Sequence, residues 1–475
     1  MTNAYPLVID GQLVPGSATL NVTNPATEEL VSQCGRADEA QLDAAVEAAK
    51  RAQPAWNAMG VEGRRKCLLA ILEDFTSQAN EFAQLLTAEQ GKPLQNSHEE
   101  MALASFVLRA FAEMKLETKV LHDDAARRVI EHHTPLGVVA AITPWNFPLF
   151  ILLAKLGPAL LAGNTVVAKP APTTPLTTLK FGALCLHHLP AGVLNVIADD
   201  NDLGGILASH PSVAKVSFTG STATGRKVMA SAAATLKRIT LELGGNDAAI
   251  ILADADPKQI APALFWSAFY NAGQTCVAVK RVYAHATIYD ALCEEMAALA
   301  KACVVGNGAE PETTLGPIHN RAQFEKVSGM LKRACDAGKV IAGGGIPEGP
   351  GYFIEPTIIR DIGDDAEIVK MEQFAPILPI IPFDDVEDAI CRANATEYGL
   401  GASVWSADEN VALDIACQLD AGTVWINGHA EVVPDTPFRG AKQSGLGTEF
   451  SQEGLEEYTQ PHVVSVKKAQ AELAG

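Results

Sequence analysis

A cysteine does covalent chemistry only as its thiolate. Cys276 stands in YNAGQTCVAVKR, where Gly273 and other small residues let a ligand approach the backbone. A lone cysteine is more often a buried core residue, so the surrounding segments decide its meaning. Glu242 follows an apolar run in ITLELGGND. A carboxylate placed there sits at the carboxyl end of a strand, where sites in α/β sheets open. Asn146 lies in TPWNFPL, held between Trp145 and Phe147 with Pro144 and Pro148 stiffening the loop. Such a preset amide can donate to a developing oxyanion. The segment FTGSTATG, 218–225, joins a strand to a helix N-terminus, a place that attracts phosphate. It is not GxGxxG, and it is not a P-loop, because Arg226–Lys227 follow where Lys–Ser/Thr is required.

Elements must bring these residues together. After short strands and turns over the first 35 residues, Asp38 caps an Ala-rich helix, with Gln41 at the capping-box position and Pro54 near its end. Further helices are expected at about 61–88 and 96–116. The segment 117–135 is charged and aperiodic, an excursion from the main domain. From Gly137 strands and helices alternate. GVVAAITP, NTVVAKP, GVLNVIA and KVSFTG read as strands buried on both faces of a parallel sheet. A second alternating region runs from near Thr240 to about 445, and the tail 458–475 returns to a strand-like pattern.

Composition narrows the function classes. The chain has 475 residues, too long for one core, so at least two domains are expected. A net charge of −20 argues against a phosphate-backbone partner and against an anionic membrane surface. The 9 cysteines are scattered without a CxxC pair. That indicates neither a zinc site nor a disulfide framework, and it fits a reducing compartment. No signal-peptide pattern opens the chain and no apolar stretch is long enough to span a bilayer. A cytoplasmic protein without a metal is expected.

The segments TPWNFPL, FTGSTATG, LELGG and GQTC, in this order, resemble those of the aldehyde dehydrogenase superfamily, from NPATEE near residue 24 to KQSGLG near 447. The resemblance implies oxidation of an aldehyde to an acid with NAD(P)+ through a thiohemiacetal and a thioester. By it, Cys276 matches the nucleophile and Glu242 the base that activates the deacylating water. Asn146 matches the oxyanion donor, Lys155 a lysine supporting proton movement, and Glu449 a carboxylate behind the base. Ile142, Thr143, Pro144, Trp145, Lys169, Gly220, Ser221, Gly225, Leu243, Gly244, Glu372 and Phe374 match the coenzyme site. Phe147, Ile151, Ala154, Tyr270, Thr275, Val277, Val432, Phe438 and Arg439 match the aldehyde pocket. The implied fold is α/β. A Rossmann-like cofactor domain spans 1–116 and 136–243, an α/β catalytic domain 244–457, and a small β bridging element 117–135 with 458–475. That element implies a homodimer or homotetramer.

Several positions depart from the family pattern. Pro172 replaces a glutamate that binds the ribose hydroxyls in many NAD+-preferring members, which admits NADP+. The loop ADDNDLGG, 198–205, lacks the usual leading glycines and carries Asp199, Asp200 and Asp202, which disfavour a phosphate. The weight falls on NAD+. FAP replaces the usual FGP at Phe374–Pro376. PFRG replaces PFGG, so Arg439 is a candidate for reading a substrate carboxylate, though such an arginine is more often a surface contact. Ala154 and Val432 replace frequent aromatics, which argues against a cationic aldehyde and for a wide apolar pocket taking a bulky aromatic or aliphatic one. Two other functions compete: a CoA-acylating dehydrogenase, which would not need Glu242 as a base, and a non-catalytic protein reusing the fold.

Overall fold

A computed structural model describes residues 5–468. The ends of the expected cofactor domain and tail, 1–4 and 469–475, lie outside the described residues. Five near-continuous apolar segments form the parallel core of an eight-stranded sheet. Their spatial order is Leu194–Val196, Thr165–Lys169, Val138–Ile142, Val213–Thr219, Arg238–Glu242. Numbered along the chain that order is 3-2-1-4-5, so the direction of winding reverses between Val138–Ile142 and Val213–Thr219. A crevice opens at such a switch, outside the carboxyl ends of the strands. TPWNFPL leaves one of these strands and FTGSTATG the other. Residues 138–142 and 165–169 are buried on both faces, as a parallel sheet covered by helices requires.

A second sheet of seven strands uses Asp247–Ile251, Val279–His285, Ile377–Phe383 and Gly401–Trp405 as its centre. A third, antiparallel sheet pairs Thr459–Lys467 with Arg127–Pro135, which also pairs with Lys119–Asp123. The aperiodic excursion is therefore a hairpin that waits for the tail.

The helix starts follow their caps, with differences from the sequence reading. Asp38 accepts from Gln41 N–H at 2.9 Å and opens the helix Glu39–Ala58. Gln41 does not return the bond, because its side chain is engaged by Ser17 N–H and Pro15 O. The expected 61–88 helix is two helices, Gly60–Ser77 and Ala79–Gln90, broken at Gln78 (φ −104°, ψ 8°). The next runs from Leu94 to Glu113 and not 96–116. Glu89 explains the next start. Its buried carboxylate accepts Leu176 N–H at 2.8 Å and Thr177 N–H at 2.9 Å, capping the helix Leu176–Cys185.

Candidate active site

The helix Pro148–Leu161 starts directly after Asn146 and is anchored from below. Glu100 accepts Leu149 N–H at 3.1 Å and Phe150 N–H at 3.2 Å. Lys92 Nζ lies 2.5 Å from the other Glu100 oxygen and donates to Asn146 O at 2.8 Å. Lys92 and Glu100 are fully buried, so each neutralises the other where water cannot. The Asn146 amide donates to Gln274 O at 3.0 Å, which ties the asparagine loop to the cysteine loop.

The cysteine loop begins with a left-handed run, Asn271 (φ 53°), Ala272 (φ 55°) and Gly273 (φ 69°). Such conformations cost free energy in non-glycine residues, and here they are held from several sides. Asn271 Nδ2 donates to Asn146 O at 3.2 Å, and Gln274 Nε2 to Asn271 O at 3.0 Å. A Cβ on Gly273 would lie 2.4 Å from Ala375 O, so only glycine fits there. Lys280 Nζ donates to Thr275 O at 3.0 Å and Cys276 O at 2.7 Å. The turn swings Cys276 out of line with both flanking elements and towards Glu242.

Glu242 ends its strand and is buried. Burial pushes its carboxyl up to about 8, with Glu449 adding to the rise and Lys155 opposing it. The Cys276 thiol is also pushed up, first by burial and then by Glu242, with the Lys280 ammonium opposing. Lys155 Nζ pairs with Glu449 Oε1 at 2.5 Å. A thiol, a carboxyl and a charged pair thus share one buried space.

Two cavities meet at this point. One, of about 390 Å³, is lined by Phe147, Ile151, Ala154, Tyr270, Thr275, Val277, Val432 and Phe438, with Glu449 at its inner end. The other, of about 180 Å³, is lined by Pro144, Trp145, Asn146, Gly220, Ser221, Leu243, Gly244, Glu372 and Phe374. Cys276 and Glu242 line both.

Some expected site residues lie elsewhere. Arg439 does not line the cavity. It is half exposed and pairs with Glu453, because the chain turns its side chain outward after Phe438. Gly225 is on the buried side of the helix Thr222–Ala233, where a Cβ would lie 2.4 Å from Leu243 Cδ2, so it serves close packing. Ile142 and Thr143 lie beneath the groove, with Thr143 N–H donating to Lys169 O at 3.1 Å. Lys169 is outside the groove lining and pairs with Asp199.

The sequence reading also missed lining residues. Phe150 falls on the same helical face as Phe147, Ile151 and Ala154, a three- and four-residue spacing that was legible. Trp266 stands one turn before Tyr270 by the same rule. Phe450 joins from a distant turn and stacks near Phe150 at 5.9 Å; no local signal marks it. Lys326 and Gln323 reach the smaller cavity from the helix Arg321–Ala337.

The smaller cavity has the lining to hold one end of a dinucleotide. It lies at the switch point, beside the start of the helix Thr222–Ala233, which Ser221 caps. Thr219 Oγ1 and Glu242 Oε1, on two of its lining residues, are buried without hydrogen-bond partners. Phe374 adopts φ 53° and meets Trp145 edge-on at 5.4 Å. Its carbonyl accepts from Gln323 Nε2 at 3.2 Å, which holds the strained residue. Trp145 in turn stacks on His319 at 4.8 Å, a flat apolar wall with a polar edge. Among the described residues no cluster could hold a metal ion, and no helix is long and apolar enough to cross a membrane.

Comparison with known proteins agrees with this geometry. The model of the aldehyde dehydrogenase family matches residues 13–464. The phenylacetaldehyde dehydrogenase of Pseudomonas fluorescens is 38% identical over 473 residues, covering 96% of this chain and 94% of that protein. The NAD+ complex of a Bacillus cereus aldehyde dehydrogenase is similar at TM-score 0.95 and 35% identity, covering 98% of this chain and 96% of that one. An NADP-dependent enzyme of E. coli is similar at TM-score 0.96 and 35% identity, covering 98% and 99%.

Proposed function

This chain belongs to the aldehyde dehydrogenase family and oxidises aldehydes to carboxylic acids with NAD(P)+, and from that premise we propose how its residues divide the work. Cys276 passes its proton to the adjacent Glu242 carboxylate, which hands it on towards Glu449 and Lys155, and the sulfur attacks the aldehyde carbon, giving a thiohemiacetal oxyanion. Asn146 Nδ2, whose second hydrogen is free for a ligand, and the Cys276 N–H receive that oxyanion. A nicotinamide coenzyme, held beside Cys276 by the lining of the smaller cavity, would supply the acceptor for the hydride of the thiohemiacetal carbon. Glu242 takes a proton from a water that attacks the resulting thioester, the C–S bond breaks, and acid and thiol are released. Glu449 and Lys155 stand behind Glu242 to carry that proton onward. Trp145, Glu372 and Phe374 would hold the nicotinamide end of the coenzyme, and Lys169, beyond that lining, would meet the adenosine ribose. The observation that carries this reading is that Cys276 and Glu242 line both the coenzyme cavity and the aldehyde cavity.

The substrate we infer is a bulky, uncharged aromatic or aliphatic aldehyde. The larger cavity is lined by Phe147, Phe150, Trp266, Tyr270, Phe438 and Phe450, with no Lys or Arg among its lining residues. A substrate carboxylate would find no lysine or arginine among the lining residues to pair with, and an apolar group would find aromatic walls. The chain works in the cytoplasm in this reading, supported by nine free cysteines, all among the described residues. It assembles through its small sheet, whose edge strands carry half-exposed Val120, Leu121, Val463 and Val466.

The test is a panel of aromatic, aliphatic and carboxy-aldehydes with either coenzyme, read by the absorbance of the reduced form. Turnover of the aromatic and alkyl members without CoA is the expected result. Activity that requires added CoA would overturn the hydrolytic step, and a preference for carboxy-aldehydes would overturn the substrate class.

A further inference from the structure

Lys169 ends one parallel strand and Asp199 lies three residues beyond the end of its neighbour. Lys169 Nζ is 2.5 Å from Asp199 Oδ1. The lysine side chain is 5% exposed and the aspartate 0%. Asp199 Oδ1 accepts no aligned hydrogen bond, so the contact is an ion pair. Asp199 Oδ2 accepts Leu203 N–H at 2.8 Å, which closes the loop before the helix Gly204–Ser209. The lysine stem packs on that helix start, since a Cβ on Gly204 would lie 3.4 Å from Lys169 Cε. The loop's other acids turn the opposite way: Asp202 and Asp200 face Arg36 at 2.7 and 3.8 Å. Pro172, near Lys169 in sequence, offers no side-chain acceptor.

We propose that Asp199 sets the coenzyme preference, holding Lys169 as a neutralised ion pair so that the adenosine side accepts NAD+ and disfavours NADP+. The inference rests on the reading that Lys169 reaches the ribose. A free ammonium would attract a 2′-phosphate strongly in a poorly solvated pocket. An ammonium already paired with a buried carboxylate presents no net charge, and the carboxylate itself repels the phosphate. It can still donate a hydrogen bond to a ribose hydroxyl. Asp199 is fully buried and acts through Lys169, so it is a positioning residue.

The experiment measures dissociation constants of NAD+ and NADP+ by calorimetry for the full chain, Asp199→Asn, Lys169→Met and the double variant. Asp199→Asn keeps an acceptor for Leu203 N–H and removes the charge. Its Kd ratio should move towards NADP+ by about tenfold or more, and the double variant should lose that gain. Asp199→Ser is the second variant if the asparagine form does not fold. An unchanged ratio in the Asp199 variants, while Lys169→Met weakens coenzyme binding, overturns the inference and leaves the Lys169 reading standing. No effect of Lys169→Met on either coenzyme overturns that reading, and the inference with it.

Discussion

At the scale of the residue, the chemistry depends on a buried carboxyl and a partly buried thiol whose protons are held tightly. Glu242 is raised to about 8, so its basic form gains population as pH rises through that value. Steady-state oxidation limited by thioester hydrolysis should therefore climb through that range. In Glu242→Gln the burst of reduced coenzyme should persist while the steady rate falls by about 100-fold or more. A variant that keeps both the steady rate and the alkaline rise would remove Glu242 from the mechanism. Cys276→Ala should retain coenzyme binding and lose oxidation, checked by calorimetry beside the turnover assay. Measurable turnover in it would sink the nucleophile assignment.

At the scale of the element, the site depends on where two loops are pinned. Glu100 caps the helix that follows Asn146, and Lys92 joins that cap to the Asn146 carbonyl. Neither residue itself lines a cavity, yet both hold residues that do. Lys92→Met leaves Glu100 buried without its cation, a loss of about 3–5 kcal/mol. Urea unfolding of Lys92→Met and of Lys92→Met with Glu100→Gln measures this, and the double variant should recover part of the stability. It should not recover kcat, because the Lys92 bond to the Asn146 carbonyl is still missing. A single variant as stable as the parent chain would show that the pair holds nothing.

At the scale of the whole molecule, the two large sheets meet where the cavities join, and the small sheet stands apart with two open edges. The edge strand Thr459–Lys467 is nine residues long, with Val463 and Val466 about half exposed. Long apolar edges of this kind seek a partner. Val463→Asp should lower the mass seen by light scattering after size exclusion, with the fold retained by circular dichroism. A mass unchanged from the parent chain would place the subunit interface elsewhere.

The sequence alone determined the family, the chemical types at the site and the parallel strands that carry them. These follow from local rules: apolar runs buried on both faces, glycines where backbones approach, and a motif order that chance does not produce. It did not determine which way a side chain turns. Arg439 stood open between a pocket contact beside Phe438 and a surface contact, and only the fold placed it at the surface with Glu453. Gly225 matched the coenzyme site by resemblance, and only the packing of its helix on Leu243 showed how close the two come. Glu89, Glu100 and Lys92 carried no motif, because a buried cap is defined by the backbone it meets from a distant element. Phe150 was legible by helical spacing, whereas Phe450 needed the chain to return. The pairing of Lys169 with Asp199 joins two strands that lie side by side only after folding. Charge at a buried site is a property of neighbours, and neighbours are what tertiary structure decides.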